Sequence, residues 1–193
     1  MASRAYSLPN LLTYARIVCV PLVVLCFFLE GTLRSPDYAR WSALFIFLAA
    51  SVTDFLDGYL ARAWQQTSTI GRMLDPIADK LLVAAALLLL AADGTIAGWS
   101  LWAAIVILCR EILVSGLREY LAELKVSVPV TQLAKWKTTI QMVAIGFLLA
   151  GPAADDIYPL ATETGILLLW ISAIVTLYTG YDYFRAGLKH IAD

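Results

Sequence analysis

Six long apolar stretches dominate the sequence and restrict the folds open to it. One of them contains the run LLVAAALLLLAA over residues 81–92, which is apolar on every side of a helix. A helix that crosses a bilayer needs about 20 mostly apolar residues, whereas β-barrel strands alternate between polar and apolar residues. We therefore predict an all-α membrane protein, with one domain over residues 1–193 that forms a single bundle of six transmembrane helices. The predicted segments are 8–29, 40–61, 74–92, 97–118, 134–151 and 161–182.

The composition of the chain excludes several other classes of protein. Apolar residues make up 61% of the 193 residues and charged residues 15%, so a soluble domain of this size would lack the polar surface to cover its apolar side chains. The net charge of −1 argues against nucleic-acid binding, which requires a basic excess. The single histidine, His190, argues against a metal site built from histidines and against a Ser/His/Asp triad.

The distribution of basic residues predicts the orientation of the helices. The helix ends and loops on one side carry most of the Lys and Arg residues, whereas the opposite side carries only Arg34 and Arg40. Basic residues concentrate in the cytoplasmic loops of membrane proteins. We therefore expect both termini to face the cytoplasm.

Four aspartates interrupt the second and third apolar segments near their cytoplasmic ends. Asp54 and Asp57 are three residues apart and Asp75 and Asp79 are four apart, so each pair lies on one face of its helix. We expect the two helices to be antiparallel neighbours joined by a loop of about a dozen residues, which places all four acids at a similar depth. Each acid inside a spanning helix costs about 2.5–3.5 kcal/mol on insertion scales. Two divalent cations, Mg²⁺ or Mn²⁺, would compensate this cost because they prefer carboxylate ligands.

The residues alone leave other interpretations of the four aspartates and the nearby small residues open. The acids would be solvated and paired with nearby basic residues, or they would mark an ion path in a divalent-cation transporter. A transporter predicts polar residues that continue to the far side, and residues 81–92 of the third segment are apolar. Gly58, Ala61 and Gly71 are typical either of closely packed helices or of the floor of a ligand pocket.

The spacing of the acids and small residues resembles a known signature. The pattern D-x2-D-G-x2-A-R-x8-G-x3-D-x3-D over residues 54–79 is similar at every fixed position to the motif of the CDP-alcohol phosphotransferase family. The resemblance implies a six-helix fold in which the motif binds two divalent ions and the pyrophosphate of a CDP-alcohol. It assigns Asp54, Asp57 and Asp75 as metal ligands, and Asp79 as a further ligand and the general base. It also implies contacts of the CDP-alcohol with Gly58, Ala61, Arg62, Gly71 and either Ser68 or Thr67.

Three polar residues recur along the first apolar segment. Asn10, Thr13 and Arg16 are three residues apart, which keeps them on one side of the predicted helix. They are typical of a helix cap followed by a snorkelling arginine. The family resemblance implies instead that they contribute to the CDP-alcohol site.

A group of basic residues near the fourth and fifth segments predicts a second binding region. Arg110, Arg118, Lys135 and Lys137 lie on the predicted cytoplasmic side and would form a cationic pocket for an acceptor that carries its own phosphate. A buried ion pair of Arg110 with Glu111 and membrane anchoring by the lysines are the alternatives.

The surroundings of these basic residues extend the resemblance. REILVSGLREYLA over residues 110–122 and KWKTTIQ over residues 135–141 are similar to bacterial members of the family that use glycerol 3-phosphate. This similarity implies CDP-diacylglycerol as the donor, glycerol 3-phosphate as the acceptor, and membrane lipids and a second copy of the chain as partners. It also implies the inner membrane of a bacterium. Family members that use inositol phosphate, serine or phosphatidylglycerol are the alternative, and a divalent-cation transporter is a remote one.

Overall fold

The described part of the chain is entirely helical. A computed structural model describes residues 8–29, 36–64, 69–124, 126 and 132–188, with side chains except at 8–9, 36, 55–64, 69–70, 72, 134–135 and 188. These residues form seven helices and no strand: α1 (Leu8–Phe28), α2 (Pro36–Trp64), α3 (Thr69–Ala92), α4 (Ser100–Glu123), α5 (Gln132–Ala150), α6 (Pro152–Asp155) and α7 (Ala161–Leu188). The six long helices correspond to the six predicted segments, and the predicted all-α class is confirmed.

The connection between the second and third helices is shorter than predicted. α2 continues to Trp64 and α3 begins at Thr69, so the predicted loop of about a dozen residues is wrong. The prediction ended both segments where hydropathy falls. Arg62 and Ala63 are nevertheless strong helix formers, and they extend α2 beyond the predicted segment.

α1 brings together the two helices that carry the predicted acids. It packs extensively against both α2 and α3, whereas the described residues of α2 and α3 contact each other less. On the other side of the bundle, α7 packs against α4 and α5, and α5 also packs against α2. The largest fully buried apolar side chains between the helices are Phe47, Leu82, Leu87, Leu90, Ile96, Ile107, Leu121, Ile145, Leu148, Leu149 and Leu169.

The outer surface of the bundle is strongly apolar. Large exposed side chains include Phe28, Phe45, Ile112, Leu113, Leu167 and Ile174. Among the described residues, three stretches are long and apolar enough to cross a membrane: Asn10–Phe28, Ser100–Glu123 and Ala161–Gly187. Trp136–Ala150 is a shorter apolar helix. α3 falls outside this set because its first half carries Asp75, Asp79 and Lys80.

Arg40 links several helices at the end of the bundle opposite to the predicted acids. Its buried guanidinium contacts the carboxylate of Asp93, lies 3.2 Å from the hydroxyl of Thr95, and lies 5.3 Å from the centroid of the Phe27 ring. Gly151 follows α5 with a φ of +48°, and a Cβ built there would lie 2.6 Å from Nη1 of Arg40. Arg40 thus connects α1, α2, the end of α3 and the end of α5.

We expect Gly151→Ala to reduce the free energy of unfolding by about 2 kcal/mol, since alanine is strained at a positive φ and its Cβ collides with Arg40. Thermal unfolding of the detergent-solubilised protein, followed by circular dichroism, measures this loss. Gly116→Ala is the matched control because a Cβ in that part of α4 meets nothing within 4 Å. Equal melting temperatures for the two variants would contradict the prediction.

Candidate active site

The guanidinium of Arg16 on α1 holds two predicted acids from different helices. Its Nη1 lies 2.8 Å from Oδ1 of Asp54 on α2 and 2.8 Å from Oδ1 of Asp79 on α3. The Arg16 side chain is 0% exposed, so the snorkelling interpretation, which requires a charged head in contact with water, is wrong. A buried guanidinium needs paired anions. The two carboxylates satisfy that need, and Arg16 in turn reduces their mutual repulsion.

A second contact from α1 orients a third acid. The hydroxyl of Thr13 donates to Oδ1 of Asp75 at 2.5 Å. Asn10 and Thr13 are also buried, with 2% and 1% of their surface exposed. The polar row that the sequence places on one side of the first helix therefore lies inside the bundle. Asp54, Asp75 and Asp79 each contact a polar side chain of α1, and we call these three residues the acid cluster.

The remaining residues of the predicted motif are described only in part. Gly71 is buried in the first turn of α3. The described backbone of α2 includes positions 57, 58, 61 and 62, but the side chains of Asp57, Ala61 and Arg62 lie outside the described set. The predicted Ser68 or Thr67 contact lies outside the described residues altogether.

The donor chemistry of the acid cluster suits hard divalent cations. Carboxylate oxygens are the protein ligands that Mg²⁺ and Mn²⁺ prefer. The side chains of Asp54 and Asp79 are 45% and 49% exposed, so both carboxylates are accessible to an ion from outside the bundle. Within the residues that the structure describes, no three acidic, histidine or cysteine side chains are arranged as a complete metal site. Asp57, the fourth acid of the motif, does not belong to that described set.

A second charged group links α4 and α5. The ammonium of Lys137 pairs with the carboxylate of Glu111, and Nη1 of Arg110 lies 3.6 Å from the same carboxylate oxygen. Lys137 is only 4% exposed, which does not fit an anchor at the membrane surface. An isolated Arg110–Glu111 pair does not describe the group either, because Glu111 makes its closer contact with Lys137. Two cations share one carboxylate, so a positive charge is left over.

α7 holds the guanidinium of Arg110, a contact that is not among those predicted from the sequence. Nε of Arg110 donates to the backbone oxygen of Thr176 at 3.2 Å, and Nη2 donates to Oγ1 of Thr179 at 3.1 Å. The available signal was the spacing of Ser172, Thr176 and Thr179, which places three polar residues on one face of an otherwise apolar helix. All three are buried.

The other two residues of the predicted cationic pocket, Arg118 and Lys135, are not seen in contact with Arg110 and Lys137 among the described side chains. Arg118 is exposed, and its guanidinium carbon lies 5.6 Å from the centroid of the Tyr183 ring. It is about two helical turns beyond Arg110 on α4. The side chain of Lys135 is not among those described. The structure therefore brings together Arg110 and Lys137 of the predicted set.

Comparison of the whole sequence with known proteins defines the class to which this helical bundle belongs. A family model described as CDP-alcohol phosphatidyltransferase matches residues 6–178. The chain belongs to this family of transferases.

Individual relatives from bacteria are similar over nearly the full chain. A protein of Rickettsia bellii (strain RML369-C) is 45% identical over 184 residues, which cover 95% of this chain and 97% of the relative. Proteins of Cereibacter sphaeroides and Escherichia coli (strain K12) are each 38% identical, and the matches cover 97% of this chain and 98% of the relative. All three relatives are named CDP-diacylglycerol–glycerol-3-phosphate 3-phosphatidyltransferase. The bacterial relatives and the apolar helices together indicate a membrane protein.

Proposed function

We propose that this chain transfers the phosphatidyl group of CDP-diacylglycerol to glycerol 3-phosphate, forming phosphatidylglycerophosphate and releasing CMP. The observation that carries the proposal is the acid cluster, in which α1 holds aspartates from two helices together. The names of the bacterial relatives support the choice of donor and acceptor. The contacts of Arg110 and Lys137 with Glu111 are a second line of support.

The chemistry requires charge neutralisation and a base. Asp54, Asp57, Asp75 and Asp79 would hold two divalent ions, Mg²⁺ or Mn²⁺, which when bound neutralise charge on the pyrophosphate of the donor. Asp79 accepts the proton of the acceptor hydroxyl while the hydroxyl oxygen attacks the phosphorus of the phosphatidyl group. The bond from that phosphorus to the CMP oxygen breaks as the new bond forms, so no nucleophilic side chain is needed.

α1 contributes to this chemistry through the carboxylates. Arg16 keeps Asp54 and Asp79 at fixed positions, and Thr13 does the same for Asp75. Asn10, Gly58, Ala61, Arg62, Gly71 and Ser68 are proposed to contact the CDP group directly. Small residues at three of these positions allow the nucleotide to approach the helix backbone.

The acceptor phosphate is proposed to bind between α4 and α5. Arg110 and Lys137 lie there with one shared carboxylate, and the excess positive charge favours an anion. Arg118 and Lys135 would extend the positive region toward the surface. A phosphate dianion pairs more strongly with these residues than the single carboxylate of zwitterionic serine does, so the pocket favours glycerol 3-phosphate over serine.

The long helices and the distribution of basic residues support a membrane location for the protein. We infer one domain with six membrane-spanning helices, α1–α5 and α7, in the inner membrane of a bacterium. The basic residues concentrate at the end of the bundle that carries the acid cluster, which supports a cytoplasmic site and cytoplasmic termini. The acyl chains of the donor stay in the bilayer beside the helices. A homodimer is part of this proposal.

CMP release from the purified protein in detergent tests the proposed function. With CDP-diacylglycerol, glycerol 3-phosphate and Mg²⁺ present, we expect CMP release that requires both the acceptor and the cation. EDTA should lower the rate by roughly two orders of magnitude or more, because several kcal/mol of charge stabilisation is lost. Excess Mg²⁺ or Mn²⁺ should restore it.

Parallel reactions with other alcohols decide between the alternatives. CMP release only with inositol phosphate, serine or phosphatidylglycerol would overturn the acceptor and keep the reaction class. The absence of CMP with every alcohol, from protein shown to be folded, would contradict the proposal. Divalent-cation flux into liposomes would then favour transport, against which the apolar residues 81–92 of α3 argue.

A further inference from the structure

Arg110 is held along one edge of its guanidinium by a single helix. Nε donates to the backbone oxygen of Thr176 and Nη2 donates to the hydroxyl of Thr179, so both contacts come from adjacent turns of α7. The Thr179 hydroxyl has itself an acceptor in the backbone oxygen of Val175, at 2.9 Å. Its own proton is thereby directed into the helix, and its oxygen is available to accept from Arg110.

Gly180 gives the same arginine a close-fitting surface. A Cβ at this position would lie 3.1 Å from Cγ and 3.4 Å from Nε of Arg110. Both distances are tight, so the stem of Arg110 lies directly against the backbone of α7 at this glycine. Thr176, Thr179 and Gly180, which we call the α7 clamp, therefore fix the guanidinium by two hydrogen bonds and one packing contact.

The clamp leaves donor capacity on Arg110 for another anion. A guanidinium has five N–H donors, and α7 accepts from two of the three nitrogens. The third nitrogen, Nη1, is 3.6 Å from Glu111, which is longer than a hydrogen bond. Lys137 makes the closer contact with that carboxylate. Among the described side chains, Arg110 therefore shares its one carboxylate partner, Glu111, with Lys137 and makes no hydrogen bond to it.

A comparison within the bundle distinguishes this arginine from one with only a structural role. Arg40 at the opposite end contacts the carboxylate of Asp93 directly, as expected of a buried ion pair. Arg110 is similarly buried, with 13% of its side chain exposed, but it is oriented by neutral oxygens of α7. An arginine that is positioned by neutral groups keeps its charge for a ligand.

We propose that Thr179 is a positioning residue for the acceptor. Its hydroxyl, with the rest of the α7 clamp, holds Arg110 in the orientation that binds the phosphate of glycerol 3-phosphate. This inference rests on the proposed function, because it takes the phosphorylated acceptor as the anion that Arg110 binds. It adds α7 to the elements that determine acceptor choice.

Steady-state kinetics of Thr179→Val and Thr179→Ser test the role of the hydroxyl. Valine keeps the shape of threonine and removes the acceptor oxygen, so we expect the KM for glycerol 3-phosphate to rise about tenfold. The KM for CDP-diacylglycerol and kcat should stay within about twofold, because the hydroxyl acts on the acceptor site. Thr179→Ser retains the oxygen and should restore the wild-type KM.

A matched control and a double variant separate positioning from stability. Ser172→Ala removes another buried hydroxyl from the same helix, one that makes no hydrogen bond with the described residues, and should leave both KM values unchanged. In an Arg110→Ala background, Thr179→Val should cause no further rise in the KM for glycerol 3-phosphate, because its effect passes through Arg110. A further tenfold rise in that background would overturn the inference.

Gly180→Ala keeps the proposal testable if Thr179→Val fails to fold, which size-exclusion chromatography and circular dichroism detect. A Cβ at this position would lie 3.1 Å from Cγ of Arg110 and would push the arginine stem away from α7, so the same selective rise in KM is expected. An unchanged KM for glycerol 3-phosphate in folded Gly180→Ala would also overturn the inference. Equal rises of this KM in Thr179→Val and Thr179→Ser would do the same.

The wild-type assay separates failure of this inference from failure of the proposed function. Wild-type protein that uses glycerol 3-phosphate, with variants that leave its KM unchanged, contradicts only the role of the clamp. Wild-type protein that releases CMP only with an alcohol lacking phosphate contradicts both.

Discussion

Asp79→Asn is expected to reduce kcat for CMP release by about 10³-fold, within the range for loss of a general base. The amide cannot take the proton of the acceptor hydroxyl, and it removes a negative charge from the proposed metal site. Its Oδ1 can still accept the hydrogen bond that Nη1 of Arg16 now donates to the carboxylate. The contact between α1 and α3 should therefore persist, and the loss should fall on the chemistry. Single-turnover CMP release at saturating substrates measures it.

Glu123→Gln is the matched control for Asp79→Asn. Glu123 is an exposed acid at the end of α4, so its amide variant removes one carboxylate away from the acid cluster. We expect its kcat to equal that of the wild type. If Asp79→Asn, with an unchanged melting temperature, kept more than about a tenth of the wild-type kcat, the assignment of Asp79 as general base would be wrong.

The helices of this bundle are predictable from the sequence because their signal is local and strong. Each long helix coincides with an apolar segment, and the turn after α3 contains Gly94 and Gly98, both with positive φ. The errors lie where helices continue into polar sequence, as α2 does up to Trp64. Hydropathy indicates which residues lie in the membrane, whereas helix propensity determines how far the helix continues beyond it.

The acid cluster is only partly predictable from the sequence, because it depends both on spacing within a helix and on contacts between helices. Spacing alone places Asp75 and Asp79 on one face of α3, since the helical period is fixed. Spacing does not reveal that α1 lies against both acid-bearing helices, or that Arg16 contacts Asp54 and Asp79. Those contacts depend on how the helices pack.

The charged group of Arg110, Glu111 and Lys137 shows more clearly that contacts between helices cannot be predicted from local sequence. The basic residues were recognisable as a set because their charge is unusual in an apolar sequence. Thr179 gave a weaker signal, since single hydroxyls are common in membrane helices and hydrogen-bond to their own backbone, as Thr179 does with Val175. Its contact with Arg110 joins residues 69 positions apart in the chain, and no local pattern predicts such a pairing.

Arg16→Met is expected to lower the melting temperature measured without divalent cations by roughly 6–12 °C. The variant leaves Asp54 and Asp79 without the guanidinium that now lies 2.8 Å from each. Breaking a buried ion pair costs about 3–5 kcal/mol, and the lower end applies here because both carboxylates are about half exposed. Methionine fills most of the space of the arginine stem, so the loss reports the missing charge.

The response to Mg²⁺ makes the Arg16 prediction specific to the acid cluster. A divalent cation and the guanidinium of Arg16 neutralise the same carboxylates, so Mg²⁺ should raise the melting temperature of Arg16→Met more than that of the wild type. Arg185→Met, which removes an exposed arginine near the end of α7, is the control and should respond as the wild type does. If Mg²⁺ shifted all three proteins equally, the cation would not bind where Arg16 acts. The acid cluster would then be an ion-paired support for α1 and not a metal site.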